Sequence, residues 1–324
     1  MAVTYVPDAG RLVKLAVAAE TTFGTYVTPS TQLALVAPPS FGLGHQVIEG
    51  AAMTGTVQQV ITHRAVRGLD IPFVSVEIPF SANSMSVVWQ MITGSALAAN
   101  AWLISTNPTS FSIGILMQRS AGGGDYFKFA GCHLAAAAIE MPLGGMSTVR
   151  LDFLARTLTF PDTAPATFPT LTPTVSSRPY VLKDCAFKHN TTDSFGGQTA
   201  VPFKGFSMGI NCGLLVEHNS TATTPDSLVR TAFDVTGEIR GRFSAEWWDE
   251  WKAIIAGESS GGFTRQYLEM LVTDGSSPLR FTLPATVDMP AVAPDDLGMA
   301  APLRFMAAGD DATPTVAVLR VKNV

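Results

Sequence analysis

Glycine and proline constrain this chain more than any other feature. Its 28 glycines and 21 prolines cut the 324 residues into short apolar runs. Within those runs large and polar residues alternate. Val74-Ser-Val-Glu-Ile-Pro-Phe80 does so, as do Phe111–Ile115, Tyr126–Phe129, Val149–Leu154, Phe233–Ile239, Tyr267–Val272 and Val316–Val321. An alternating run puts every second side chain on one face of a strand. Short strands with turn signals about every ten residues predict sandwiches or barrels. Ala121–Asp125 and Thr273–Ser277 are predicted hairpin loops.

Two segments carry helical spacing instead. Ser81 precedes Met85, Val88, Trp89 and Ile92, and Gly94 closes the run. Ser244 precedes Trp247, Trp248, Trp251, Ile254 and Ile255, with Glu246 and Asp249 in the early turns and Gly257 closing. Laid over each other, Phe80–Gly94 and Phe243–Gly257 match without a gap at an offset of 163 residues (243 − 80), sharing Phe, Ser, Ala, a late Ile and the final Gly. Ile139-Glu-Met-Pro142 is echoed by Val287-Asp-Met-Pro290, with Phe129 against Phe281 and Arg150 against Arg304. We read this as one unit used twice, since an array of repeats needs three or more shorter copies. The expected organisation is a first β domain over 1–160, a Pro/Thr-rich linker over 161–179 and a second β domain over 180–324. The five prolines of Phe160–Pro179 are expected to favour an extended linker over a ladder.

Apolar residues make up 47% of the chain and charged residues 15%, with a mean hydropathy of +0.25. So little charge predicts apolar surface hidden against other subunits as well as in cores. The most apolar stretch, Leu134–Met141, is too short for a membrane span, and Met1–Asp8 lacks the basic and apolar regions of a secretory signal. Cys132, Cys185 and Cys212 are odd in number and widely spaced, so neither a disulfide framework nor a zinc site is expected. The net charge of −5 comes with scattered Lys and Arg, which argues against a nucleic-acid grip.

No catalytic, cofactor or metal site is expected. Gly205-Phe-Ser-Met-Gly209 has the form of a hydrolase nucleophile elbow, but Ile210–Glu217 continues as strand. The only later histidine is His218, which leaves no room for an acid in the usual order except its neighbour Glu217. His45, His63, His133, His189 and His218 have no metal spacing and are expected at surfaces or interfaces. Cys132 and His133, being adjacent in a strand, face opposite ways. Gly122–Asp125 lacks the Lys-Ser/Thr of a phosphate loop, and Asp295-Asp296 and Asp310-Asp311 lack calcium-loop spacing. Asn190 and Asn219 open glycosylation-type triplets that carry no meaning without secretion. The tryptophans 247, 248 and 251 are expected to form a core stripe, with part of the helix left to meet a neighbour.

Ala18-Ala-Glu-Thr-Thr-Phe-Gly-Thr-Tyr-Val-Thr-Pro29 resembles the opening of phage tail tube proteins, through Glu20, Thr22, Phe23, Gly24, Thr25, Thr28 and Pro29. The strand, short helix and glycine of Gly68–Gly94, the Phe-Ser before an Asn-containing strand in Lys204–Asn211, and the terminal Val321-Lys-Asn323 are also similar to that family. Ser40–Thr62, read as a loop, departs from its pattern. The resemblance to the two-domain members, from phages with long non-contractile tails, implies two tail-tube-type β-sandwich/barrel domains, each with one short helix. It implies a non-enzymatic virion protein, assembled in the bacterial cytoplasm into stacked rings around a lumen that DNA crosses without specific binding. Partners implied are other copies, the tape measure protein, the tail terminator and the distal tail protein. With two domains per chain, three chains would make a pseudo-sixfold ring.

Open sheet edges are expected to pair between copies. Ser40–Thr62, Ala121–Asp125, the N-terminal arm and the linker are candidates to reach the adjacent ring. Asp125, Glu140 and Asp152 are candidates for a neutral or acidic lumen. Rival readings are a head decoration or tail terminator protein, a serine hydrolase using Ser207, and a carbohydrate-binding sandwich using the tryptophans.

Overall fold

A computed structural model describes residues 13–49, 65–98, 101–105, 107–118, 124–162, 168–169, 178–190, 194–219, 223–242, 247–249, 252, 266–273, 279–288, 293–295, 298–307 and 320–323. The first half contains β1 (Val13–Ala19), β2 (Thr31–Leu33), β3 (Ser40–Gly42), β4 (His45–Glu49), β5 (Ala65–Asp70), β6 (Phe73–Pro79), helix α1 (Ala82–Thr93), β7 (Ala101–Trp102), β8 (Phe111–Gln118), β9 (Gly124–Met141), β10 (Thr148–Leu154) and β11 (Thr157–Asp162). A 3₁₀ turn, Leu182–Asp184, leads into β12 (Cys185–Asn190), β13 (Phe203–Asn211), β14 (Leu214–Glu217), β15 (Ser227–Arg230), β16 (Asp234–Arg242), β17 (Gln266–Val272), β18 (Leu279–Asp288), β19 (Ala293–Asp295), β20 (Gly298–Ala307) and β21 (Arg320–Asn323). The protein is mainly β, as the alternating runs require.

β9 organises the first half. Its N-terminal part pairs with β8 and β11, and its C-terminal part with β10 and β13. The bend falls at Gly131, whose φ of +67° is a left-handed conformation that glycine adopts without a Cβ penalty. One antiparallel layer runs β2-β1-β8-β9-β11. A second, wider layer runs β3-β6-β10-β9-β13-β16-β20-β18. The inward residues of that layer, such as Val74, Val76, Ile78, Leu151, Ile139, Met208, Ile239 and Leu303, are all buried.

Above them lie α1 and the N-terminal parts of β9 and β18. Met85, Val88, Trp89, Met91 and Ile92 give the helix its buried stripe, and Gly94 closes it in a left-handed cap, its N–H bonding Gln90 O at 2.9 Å. Ser81 is the extended N-cap residue, but its side chain makes no capping bond. Trp89 and Phe80 contact Phe281 at centroid distances of 5.0 and 6.1 Å, so the core runs without a break from the first half into the second.

The pairing order recurs. β1-β8-β9-β11 in the first half is followed by β12-β17-β18-β21 in the second. β3-β6-β10-β9 is followed by β13-β16-β20-β18. Each half also inserts a hairpin at the same place, β4–β5 and β14–β15, with left-handed Gly44 (φ +56°) and Gly213 (φ +48°) at the hinges.

Several expectations are corrected. Ser40–Thr62 is not one loop, because β3 and β4 occupy part of it; residues 50–62 lie outside the described residues. Gly124 and Asp125 already belong to β9. The segment from Phe160 does hold a ladder as far as Asp162, which pairs with Tyr126. Pro161 is tolerated there because it sits within a register shift, on a strand that pairs only with β9 among the described residues. Of the second helix, Trp247–Asp249 and Lys252 are described and helical, and Trp247 is buried as the stripe requires. The expected strand Val316–Val321 is described only from Arg320, and Gly122, Ser277, Asp296, Asp310 and Asp311 fall outside the described residues.

Candidate assembly surface

Three features define a candidate surface: the solvent face of the wide layer, its ends, and the polar nodes that fix the segments packed against it.

The solvent face is mainly polar and floored by small residues, with Met306 exposed among them beside Thr236. Ser75, Glu77, Ala136, Ala138, Glu140, Arg150, Asp152, Ser207, Gly209, Asp234, Thr236, Glu238, Arg240 and Arg304 all lie on it, half-buried or exposed. Among the side chains described on it, acids outnumber bases. Each described Arg is engaged: Arg150 Nε lies 3.2 Å from Asp152 Oδ1, while Arg240 and Arg304 flank Glu238 at 2.7 and 3.4 Å. Those two guanidinium groups, Arg240 first, hold the Glu238 carboxyl below its usual range despite partial burial. Glu140 and Asp152 stand on this face. Asp125 does not, because it belongs to the part of β9 that pairs with β8.

Among the described residues the layer ends in two edges without an outer partner. β3 pairs only with β6 among the described residues. β18 carries β17 along one side as far as Ala285, and Thr286–Asp288 have no described partner on that side. Between these ends the halves are welded by β9 and β13, from Phe206 opposite Met141 to Asn211 opposite Ala136.

The first buried node is Glu20, which the sequence marks only as a motif residue. Its carboxylate accepts from Gly24 N (2.9 Å), Gly131 N (2.9 Å), Ser110 Oγ (2.8 Å) and Ser112 Oγ (2.7 Å). It thus ties the N-terminal segment to the β9 corner. The second node is the half-buried Arg230, which no sequence signal picks out. From β15 it reaches the end of α1, donating to Ile92 O at 3.1 Å and Thr93 O at 3.0 Å. A cation there satisfies carbonyls that the helix leaves unpaired and meets the negative end of its dipole.

His133 is buried, contrary to the expected surface position, because the β9 bend turns it under Phe23, 5.5 Å away. Burial first, then Arg230, lowers its pKa to about 4, with Glu20 pulling the other way. The folded chain thus keeps His133 neutral where the unfolded chain, with an ordinary histidine pKa, binds a proton. Stability is accordingly lost as pH falls from about 6.5 to about 4, by roughly 3 kcal/mol from this residue. Urea unfolding at pH 7 and pH 4.5 is expected to show a drop that shrinks in a His133→Gln variant; an equal drop in both would rule the histidine out.

Ser207 sits mid-strand, opposite Glu140 on one side and Glu238 on the other, and not on the strand-to-helix turn that a nucleophile elbow needs. Cys132 and Cys212 are buried and Cys185 half-buried; burial raises all three thiols, Cys185 to about 12. Among the described residues no group of His, Cys, Asp and Glu is placed to hold a metal ion, and no helix is long and apolar enough to cross a membrane.

The described residues form a mainly β protein with a broad sheet face whose outermost strands have no further described partner. The family model for phage tail tube proteins matches residues 10–307, and the chain belongs to that family, a structural one of the virion tail. Comparison with curated proteins finds no match.

Proposed function

We infer that the chain closes into trimeric rings that stack as the tail tube. The observation that carries this is the weld between β9 and β13. In the recurring pairing order β13 stands where β3 stands, and β18 where β9 stands. The free edge of β18 on one copy therefore meets the free edge of β3 on the next in the geometry already realised within the chain. Pairing removes edges that a monomer leaves open.

Size selects the number of copies. Each chain supplies eight strands to the wide layer. At roughly 4.8 Å per strand, three chains close a circle of roughly 37 Å before strand tilt widens it, and six chains one about twice as wide. The smaller circle holds one DNA duplex. The recurrent order also supports a chain of two related units, 1–160 and 180–324, joined through 161–179.

Helix α1 and the narrower layer occupy the other face, so closure turns the polar face inward. Its surplus carboxylates repel phosphates, and its arginines are already paired, so DNA slides without adhering. Copies of itself, the tape measure protein, the tail terminator and the distal tail protein are the partners this role requires. Cryo-electron microscopy of assembled tubes is expected to show three chains per ring; six would refute the closure.

A further inference from the structure

Arg230 fastens the second half of the chain to the first. From β15 it donates to Ile92 O at 3.1 Å, Thr93 O at 3.0 Å and Ser105 O at 3.4 Å, all at or just beyond the end of α1. The hairpin that carries it leans the same way. Thr223 O, between β14 and β15, accepts from Asp70 N of β5 at 2.9 Å. The hairpin of one half is thus seated on the helix of the half before it.

The first half has an arginine at the same place. Val66-Arg67 and Val229-Arg230 stand 163 residues apart (230 − 67), the offset that superposes the two helical segments. Each arginine precedes its phenylalanine, Phe80 or Phe243, by 13 residues (80 − 67 and 243 − 230), so no gap intervenes. The strands between keep phase, with Val76 and Ile239 both buried. The hairpin registers agree as well. Val66 lies opposite Ile48 and Arg67 opposite Val47, as Val229 lies opposite Leu215 and Arg230 opposite Leu214. Two matching residues gain their meaning from the contact that one of them makes.

No half precedes the first within one chain. The recurring pairing order says where the missing one lies: β13 borders β9, so β3 borders the strand equivalent to β9, which is β18 of another copy. The helix of that half is the one holding Trp247 and Lys252. A helix leaves its last carbonyls unpaired and favours a cation beside them, and a guanidinium donates to two carbonyls at once.

Resting on the ring closure inferred above, we propose that Arg67 docks on the helix holding Trp247 and Lys252 in a second copy of the same ring, doing between chains what Arg230 does within one. Arg67→Ala is expected to leave the urea midpoint of the unassembled chain unchanged and to raise the threshold concentration for assembly, read by pelleting, by about tenfold or more. Arg67→Lys keeps the cation and is expected to recover part of that loss. Arg230→Ala is expected to lower the urea midpoint of the unassembled chain, because its partners lie in its own chain. Position 69 shares a strand face with position 67. A photo-crosslinking residue there, in assemblies of mixed heavy and light chains, is expected to capture peptides from 243–265 of another chain. An unchanged threshold in Arg67→Ala, a fall in its urea midpoint equal to that of Arg230→Ala, or capture of a different segment would overturn the docking and leave the ring standing. Six chains per ring in the wild type would overturn the ring reading and the docking with it.

Discussion

Replacing Glu20 with alanine is expected to destabilise the chain by about 4 kcal/mol, measured by urea unfolding at pH 7. The side chain is 7% exposed and takes four hydrogen bonds, two from backbone N–H groups and two from serines. Alanine leaves all four donors facing an empty apolar site, and a buried donor without a partner loses its full hydration energy. Glu20→Gln keeps the shape but turns an amide N–H₂ toward donors, so a loss of about 2 kcal/mol is expected. Ring closure should fail with the alanine variant even where the chain folds, because the node ties the N-terminal segment to the bend at Gly131. A loss below about 1 kcal/mol would mean the donors find other acceptors.

Gly241→Ala is expected to cost about 3 kcal/mol or more, read as a fall in melting temperature. A Cβ built there would overlap the Trp247 ring, closer than real contacts occur. The ring cannot yield, being 1% exposed and packed near Phe187 at 6.5 Å. Gly209→Ala, on the polar face of the neighbouring strand, is the control. Its nearest neighbour would be Thr236 Oγ1 at 3.7 Å, an ordinary contact, and a small change of either sign is expected. Equal effects at the two glycines would show that strand flexibility, and not the space under the tryptophan, is what matters.

The strands were legible because alternation is a local signal. Each of the alternating runs from Val74 to Val272 became a strand, most plainly Val74–Ile78 and Val149–Phe153, whose alternate apolar residues are buried. Helix α1 was legible for the same reason, its stripe and closing Gly94 lying within one short segment. The family was legible in the dozen residues from Ala18 to Pro29, whose Glu20 and Gly24 prove to be bonded to each other. The expectation that proline breaks the ladder after Phe160 failed, because a strand with one free side and a register shift accepts Pro161. The loop expected over Ser40–Thr62 missed β3 and β4, since Ser40–Gly42 gains its strand character only from lying beside Phe73–Ser75.

By itself the sequence determined the β class, the position of α1 and the absence of any nucleophile elbow at Ser207, all consequences of contacts among near neighbours. Tertiary structure alone decided that Glu20 meets Gly131, that Arg230 caps a helix more than a hundred residues away, and that β9 and β13 share a border while β3 and the end of β18 have no described partner on their outer sides. Those pairings depend on where the backbone bends and which edge is left over, and no residue in a strand carries a local mark of the strand it will lie beside.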